Sequence, residues 1–154
     1  MSKSKRAKGS QQRAVILDMN QCPTCATRML VTRDAMELSV NGEAISVRGI
    51  RHLRCPKCGE GILTRDEARE FRERAFDKYR AKHKLLGPQD IREIREQLGM
   101  SQKELAKRLQ LGEVTISRWE SNSVIQTSAL DLLLRLMRDV PEVRRYIQSG
   151  RQAA

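Results

Sequence analysis

The chain has 154 residues, of which 39% are hydrophobic and 3% aromatic, and its formal net charge is +11. This length allows two small domains, while no run approaches the roughly 20 consecutive apolar residues that a membrane-crossing helix needs. The low aromatic content argues against a base-stacking surface for single-stranded nucleic acid. We therefore expect a soluble cytoplasmic protein with no membrane partner, whose positive charge favours double-stranded nucleic acid.

Residues 1–19 are predicted to form a basic disordered tail. Residues 1–13 contain lysines and arginines but no acidic residue, so they carry nearly half of the net charge. A segment this polar cannot bury enough apolar surface to fold. Two interpretations stay open, since the tail would either contact the phosphates of a nucleic acid or simply keep the protein in solution.

Two Cys-Pro-x-Cys units come next, and they use every cysteine of the chain: Cys22, Cys25, Cys55 and Cys58. Each unit can direct two thiolates at one ion, and two units complete the tetrahedral sulfur shell that zinc prefers. We predict one Zn²⁺ with a structural role, because four protein ligands leave no open position for catalysis. Nearby His52 is expected to be an ordinary strand residue rather than a ligand.

Four cysteines have three other common uses besides binding zinc. A rubredoxin-like iron site takes the same four ligands and stays open. Disulfides are not expected, because no signal peptide precedes the cysteines and the rest of the chain suits a reducing cytosol. A thioredoxin-like dithiol needs a βαβ setting that the sequence does not predict.

The residues between the two cysteine units are predicted to form a β-hairpin. Met36–Val40 and Glu43–Val47 alternate apolar and polar residues around Asn41-Gly42, which is the preferred two-residue hairpin turn. Flanking strands are expected near Arg28–Thr32 and Ile50–Arg54. They would bring both cysteine units together, and the metal is needed because this half has few apolar residues for a core of its own.

A connecting helix is predicted from Asp66 to Lys84. Its apolar face consists of Ala68, Phe71, Ala75 and Tyr79, with charged residues around the rest of the helix. We expect this face to pack on the zinc domain. Gly87 and Pro88 end the helical pattern and predict a hinge.

Residues 88–154 are predicted to form an all-α domain. Ser101 and Glu104 fit a capping box, in which each side chain accepts a hydrogen bond from the other residue's backbone amide, so a helix begins there. A turn at Leu111 and Gly112 precedes the next helix. Apolar residues at helical spacing predict four packed helices. These residues are Ile91, Ile94 and Leu98, then Leu105, Ala106 and Leu109, then Ile116 and Trp119, and finally Leu130, Leu133, Leu134 and Met137.

The fourth of these helices carries a second apolar row, beyond the one that faces the core. Its residues are Ala129, Leu132, Leu136 and Val140. In a monomer this apolar row would be partly exposed to solvent, so we expect a twofold homodimer that covers it. The alternative is that a last helix, opened by Pro141, folds back and covers the row within one subunit.

The segment LGMSQKELAKRL followed by TISRWE resembles the helix-turn-helix of the Xre and Cro repressor family. The resemblance implies that the second of these two helices lies in the major groove of DNA. The DNA-binding residues that it implies are Gln102, Lys103, Glu113, Val114, Thr115, Ser117 and Arg118. Among them, Gln102 and Lys103 would meet a phosphate. Arg118 would bind a guanine, and Glu113 would accept a hydrogen bond from a cytosine amino group.

The same resemblance implies that Arg95 and Glu120 form a buried structural ion pair between the first and third helices, with Trp119 beside it in the core. Two residues depart from the family pattern. Gln110 stands where a turn glycine is common, and Gly112 replaces the usual Ser or Thr cap of the reading helix. We therefore expect the turn to differ locally.

The whole order of motifs resembles the MqsA family of antitoxins, with their YgiT-type zinc finger. The motifs are CPTC, a hairpin, CPKCGE, a connecting helix, PQDIREIREQLGMSQKEL and the Trp-Glu helix, over residues 20–140. The resemblance implies an autoregulating antitoxin of a type II toxin–antitoxin pair. Such a protein represses transcription from an operator in double-stranded DNA and binds an mRNA-cleaving toxin through its zinc domain. Val114 stands where an asparagine contacts DNA in the family pattern, so we expect a different operator sequence.

Together these features predict an α+β fold in three parts after the tail. The parts are a small zinc-bound β-hairpin domain over residues 20–65, a connecting helix and hinge over residues 66–87, and an all-α helix-turn-helix domain over residues 88–154. No enzyme is expected, because the two histidines lack a nearby nucleophile and the chain has no glycine-rich phosphate loop. Two alternative functions stay open, namely a zinc adaptor that binds only a protein partner, or a transcription regulator without a toxin.

Overall fold

The computed structural model describes residues 20–149, so the predicted basic tail at residues 1–19 lies outside the described part of the chain. Short β-strands come first and α-helices follow, which confirms the predicted α+β fold. The strands are β1 (Leu30–Thr32), β2 (Met36–Val40), β3 (Glu43–Val47), β4 (His52–Arg54) and β5 (Gly61–Ile62). The helices are α1 (Arg65–His83), α2 (Pro88–Gln97), α3 (Gln102–Arg108), α4 (Thr115–Glu120), α5 (Ser128–Asp139) and α6 (Pro141–Ser149). Between residues 20 and 149, no helix combines the length and the apolar character needed to cross a membrane.

The described strands form two separate sheets. β2 and β3 pair antiparallel, with Met36 opposite Val47 at one end and Val40 opposite Glu43 at the other, which confirms the predicted hairpin. Its turn is formed by Asn41 and Gly42, and both have a positive φ, as a tight two-residue turn requires. β1, β4 and β5 form the other sheet, in which β4 lies between β1 and β5 and is antiparallel to both.

α1 packs its apolar face against the β2–β3 hairpin. Phe71, Ala75 and Tyr79 of α1 are buried in this contact. The residues that they meet are Val40, Ile45, Val47 and Ile50. Ala68 was expected on the same face but is exposed, because it lies in the first turns of α1, before the part that the hairpin covers.

A second core lies among the remaining helices. Its buried residues include Ile91, Ile94, Leu98, Leu105, Ala106, Ile116, Trp119, Leu134 and Met137, and Leu109, Leu130 and Leu133 pack against them partly buried. The predicted capping box at the start of α3 is present, since Ser101 and Glu104 each accept a hydrogen bond from the other residue's backbone N–H. In this core α4 packs against both α2 and α3.

Each of the two cores includes one residue from a segment that adjoins the other core. Leu86, in the segment after α1, is buried in the helical core, whereas Ile125, in the loop between α4 and α5, is buried in the core of the hairpin and α1. The end of α1 is therefore packed against the helical half of the molecule.

Candidate metal centre and candidate nucleic-acid interface

The two cysteine units fold as matching turns. In the first, the Ala26 N–H donates to the Cys22 carbonyl at 2.9 Å, and in the second, the Gly59 N–H donates to the Cys55 carbonyl at 3.0 Å. Ala26 and Gly59 occupy the same position of their turns, and both have a left-handed φ, at 55° and 77°. Each turn therefore places its two sulfur atoms on one side of the chain.

Sheet pairing brings the two turns together. Leu30 pairs with Arg54, directly before Cys55, and an isolated bridge joins Gln21 to Arg28 on the other turn. Met29 is buried between the cysteines. The antiparallel pairing of β1 with β4 thus fixes the distance between cysteines that lie 30 or more residues apart in sequence.

The four sulfur atoms form one compact cluster. Cys22 Sγ lies 3.4 Å from Cys58 Sγ, and Cys25 Sγ lies 3.4 Å from Cys55 Sγ and 3.6 Å from Cys58 Sγ. All four atoms lie within 4.8 Å of one another. A tetrahedral shell with metal–sulfur bonds of about 2.3 Å has sulfur–sulfur edges of about 3.8 Å, so these residues fit a single ion. The cluster is therefore suited to one metal ion held by four protein ligands.

The pKa values of the Cys25 and Cys58 thiols are shifted in opposite directions. Hydrogen bonds from the side chain and backbone of Thr27 lower the pKa of Cys25 to about 6. For Cys58, a backbone hydrogen bond from Glu60 favours the thiolate, but burial and the neighbouring thiols raise its pKa to about 12. A cation held by Cys22, Cys25, Cys55 and Cys58 would favour the thiolate form of its ligands.

The residues expected to contact DNA lie at the start of α3, in the turn after it, and on α4. Lys103, Glu113, Val114 and Arg118 are exposed, whereas Gln102, Thr115 and Ser117 are partly buried. Glu113 and Val114 belong to the turn and precede the first residue of α4. The Lys103 ammonium lies 2.6 Å from a Glu113 carboxylate oxygen, so these two side chains form an ion pair across the turn.

The turn itself departs from a glycine-rich pattern. Gln110 has a φ of 56°, in the left-handed region that glycine adopts without strain. α4 begins without a side-chain cap, since the Thr115 N–H donates to the Gly112 carbonyl instead. The backbone therefore turns sharply here without the residue types that most often support such a turn.

Glu120 ties three helices together behind α4. Its carboxylate accepts two hydrogen bonds from Arg95 on α2 and one from the Gln102 amide on α3. Gln102 was expected to meet a phosphate, and in this conformation its amide is held by Glu120 instead. Arg95 also donates to the Met100 carbonyl, which fixes the loop before α3.

The second apolar row of α5 is open to solvent in the single chain. Leu132 is 58% exposed and Leu136 is 38% exposed, while Ala129 is exposed and Val140 partly buried. α6 does not cover this row, because its Val143 and Ile147 pack against the helical core.

Sequence patterns gave no indication of a polar cluster at the junction of the two halves. Arg80 donates to Asn122, and Asp131 accepts from the Leu86 N–H, across 42 and 45 positions of the sequence. Gln126, five positions before Asp131, also donates to it. The one local signal is Asn122, because asparagine is common where a helix ends in a left-handed residue.

The chain thus combines a domain of four clustered cysteines, whose geometry suits one metal ion, with a small helical domain, and one long helix joins the two. The family model described as the antitoxin component of bacterial toxin-antitoxin systems, MqsA, matches residues 19–148. The chain therefore belongs to the MqsA antitoxin family. It is also 26% identical over 132 residues to the Antitoxin MqsA of Escherichia coli (strain K12), a match that covers 83% of this chain and 99% of that relative.

Proposed function

We propose that this antitoxin is a sequence-specific DNA-binding repressor of its own operon, and that it acts in the cytoplasm as a homodimer. The observation that carries the proposal is the exposed surface formed by Lys103, Glu113, Val114 and Arg118. Val114, Ser117 and Arg118 stand three and four positions apart, so they project from the same side of α4 and the turn before it. A helix-turn-helix that reads the major groove needs such a surface.

The three charged side chains on this surface have chemical roles in the proposed complex. The Arg118 guanidinium donates two hydrogen bonds to a guanine, and the Glu113 carboxylate accepts from a cytosine amino group. In the free protein Lys103 neutralises Glu113. A DNA phosphate competes for Lys103, and Glu113 is then released to meet a base.

A homodimer follows from the open row on α5. Leu132 and Leu136 form an apolar strip that a second copy would cover, and a twofold axis would then present two copies of α4. Their half-sites would lie one or more DNA turns apart, and each turn is about 34 Å. The operator is therefore expected to be a palindrome.

The metal is proposed to be one Zn²⁺ held by Cys22, Cys25, Cys55 and Cys58. The sulfur cluster supports this assignment, because a closed shell of four thiolates suits zinc in a structural role. The ion would cross-link the two turns and stabilise the small sheet between them. Iron uses the same ligands, and elemental analysis of the purified chain separates the two metals.

The metal domain is proposed to bind the toxin, an mRNA-cleaving protein in the pattern of this family. Leu30 and Val31 support a protein partner here, because both are 57% exposed on β1, at the edge of its sheet. Apolar side chains on an edge strand are a surface that native proteins usually cover.

Capture of genomic DNA by the metal-loaded full chain at physiological salt tests the repressor proposal. Salt suppresses weak backbone binding, so specific sites are retained. We expect a palindrome upstream of the chain's own operon, and Arg118→Ala should abolish its enrichment while Arg145→Ala, an equal charge change on exposed α6, should not. If the wild-type chain enriches no site, the alternative of a metal-domain adaptor that binds only a protein partner gains support.

A further inference from the structure

Arg80 is a charged residue at the junction of the two halves, and it is only 5% exposed. It lies in the last turn of α1, and its Nη1 donates to the Asn122 side-chain oxygen at 2.8 Å. Its nearest carboxylate, Asp77, is 3.8 Å away on the same helix and largely exposed. Within residues 20–149, Nε and Nη2 of Arg80 are buried without a hydrogen-bond partner. Burial lowers the pKa of this guanidinium, and Asp77 offsets part of the effect.

Such an arrangement is costly to the fold. A buried guanidinium with one neutral acceptor regains little of the hydration that it loses, and replacing such groups by apolar residues of similar size is often neutral or stabilising. Stability alone therefore does not account for Arg80. On its own helix the guanidinium lies near Asp77 and over the ring of Phe76, whose centroid is 5.9 Å from Cζ. Its contact beyond α1 is the hydrogen bond to Asn122, on the loop at the end of α4, and this contact indicates what the side chain does.

Asn122 closes the C-terminal end of α4. It has a left-handed φ of 57°, and its N–H donates to the Trp119 carbonyl at 3.2 Å. The next two backbone N–H groups, of Ser123 and Val124, both donate to the Arg118 carbonyl. The loop that Arg80 holds is therefore the cap on the backbone of Arg118, the proposed base-reading residue.

A second set of contacts fixes the same junction independently. The Leu86 N–H donates to the Asp131 carboxylate at 2.7 Å, and Gln126 donates to the Leu86 carbonyl at 2.8 Å. Arg135 donates to the Lys84 carbonyl at 2.7 Å. The backbone N–H of Leu86 is thus anchored to α5 and its carbonyl to the loop before α5, so α1 keeps a fixed position against the loop that contains Asn122.

We propose that Arg80 is a positioning residue for DNA recognition. Its hydrogen bond to Asn122 fixes the position of α4 relative to α1 and the metal domain. The proposal rests on the proposed repressor function. By this contact the metal domain is part of the DNA-reading unit, although it contributes no base contact.

Arg80→Met in the metal-loaded full chain separates positioning from folding. Methionine replaces the aliphatic part of the arginine side chain with an unbranched apolar one and removes the charge, so we expect the melting temperature to be unchanged or higher. Affinity for the duplex directly upstream of the chain's own coding sequence is expected to fall by about two- to thirtyfold, the usual range for a coupling residue. Arg72→Met, the same substitution at an exposed position of α1, is the matched control and should leave affinity unchanged. A lower melting temperature with wild-type affinity would overturn the proposal.

Asn122→Gly provides a second variant, because glycine keeps the left-handed backbone and removes the acceptor. It should weaken DNA binding as much as Arg80→Met, and the double variant should be no weaker than either single variant. Additive losses of affinity would contradict a shared contact.

Hydrogen exchange without DNA keeps this inference distinct from the repressor proposal. The amides of Asn122, Ser123 and Val124 should exchange faster in Arg80→Met than in the wild-type chain, because their loop is released. Unchanged exchange would overturn the role of Arg80, even if the wild-type chain binds DNA. Failure of the wild-type chain to bind any DNA would instead overturn the repressor proposal, and faster exchange would still assign the loop to Arg80.

Discussion

Arg95 and Glu120 join α2 to α4 through two parallel hydrogen bonds, from Nε to Oε1 at 2.6 Å and from Nη2 to Oε2 at 3.1 Å. Gln102 donates to the same Oε2 atom from α3 at 2.8 Å. Burial alone would raise the pKa of Glu120, but its hydrogen bonds to Arg95 and Gln102 lower it below the usual value. The carboxylate is therefore charged at neutral pH, and it sets the position of α4 from the inner side.

Replacing Glu120 with alanine is expected to lower the free energy of unfolding by about 3 kcal/mol, because a mostly buried guanidinium loses its counter-charge. Glu96 is the matched control, since its carboxylate lies 3.5 Å from Arg95 but is exposed. Glu96→Ala should cost less than about 0.5 kcal/mol. Urea unfolding of both variants measures the difference, and similar losses would show that burial adds nothing to this ion pair.

Acid is expected to weaken the contact between the hairpin and α1 at Glu43. Hydrogen bonds from Lys82 and His83 hold the pKa of Glu43 below its ordinary value of 4.5. A lowered pKa means that this contact stabilises the fold above pH 4.5 and is lost as the pH falls through the lowered value. Glu43→Gln should therefore melt below the wild-type chain at pH 7, and the difference should vanish on acidification.

Thermal melts across pH measure the Glu43 effect as a difference between two chains, so protonation of the metal-binding thiols affects both alike. Glu37→Gln on β2 is the control, because Glu37 is exposed. A wild-type advantage over Glu43→Gln that persisted at acid pH would assign the stabilisation to packing rather than to charge.

Ala26→Gly is expected to stabilise the metal-loaded chain by up to about 1 kcal/mol. Ala26 has a left-handed φ of 55°, which strains a residue with a Cβ, and the matching position in the second turn is already a glycine. Glycine also raises the conformational entropy of the unfolded chain, and this reduces the gain in stability. Ala44→Gly, at an exposed position of β3, should have the opposite sign in the same melting experiment.

Local signals in the sequence predicted much of this molecule, and contacts between distant residues did not follow from it. Three features that were predicted from residues close together in sequence are present in the structure. They are the paired cysteine turns, the Asn41-Gly42 turn and the Ser101 capping box. The contact between Arg80 and Asn122 joins residues 42 positions apart. Arg80 stands in a basic run at the end of a helix, where solvated side chains are the ordinary outcome, so only the packing of α1 against the α4–α5 loop reveals its burial.

Removal of the metal is expected to unfold the cysteine sheet and leave the helical core intact. The cluster around the site has three buried residues, and two of them are the ligands Cys22 and Cys55. The helical core has its own buried set around Trp119, the chain's only tryptophan. A chelator should therefore collapse amide signals from the cysteine turns and their sheet, residues 20–32 and 52–62, while the fluorescence of Trp119 stays that of a buried side chain. Retention of those signals by metal-free protein would contradict a structural role for the ion, and native mass spectrometry should find one zinc per chain.

Charge placed on the open row of α5 is expected to separate the proposed dimer. Leu132→Lys together with Leu136→Lys puts two ammonium groups where a second copy would bury apolar surface, and burying unpaired charge is strongly unfavourable. The variant should keep its helix content, because both positions are exposed in the single chain, but its mass in solution should become that of a monomer. DNA affinity should fall by about a hundredfold, since two half-sites are no longer bound together. Leu30→Lys with Val31→Lys is the matched control on another exposed apolar pair, and it should change neither mass nor DNA binding. A wild-type chain that is already monomeric would contradict the proposed dimer. A variant that still dimerises would show that the interface lies outside this row.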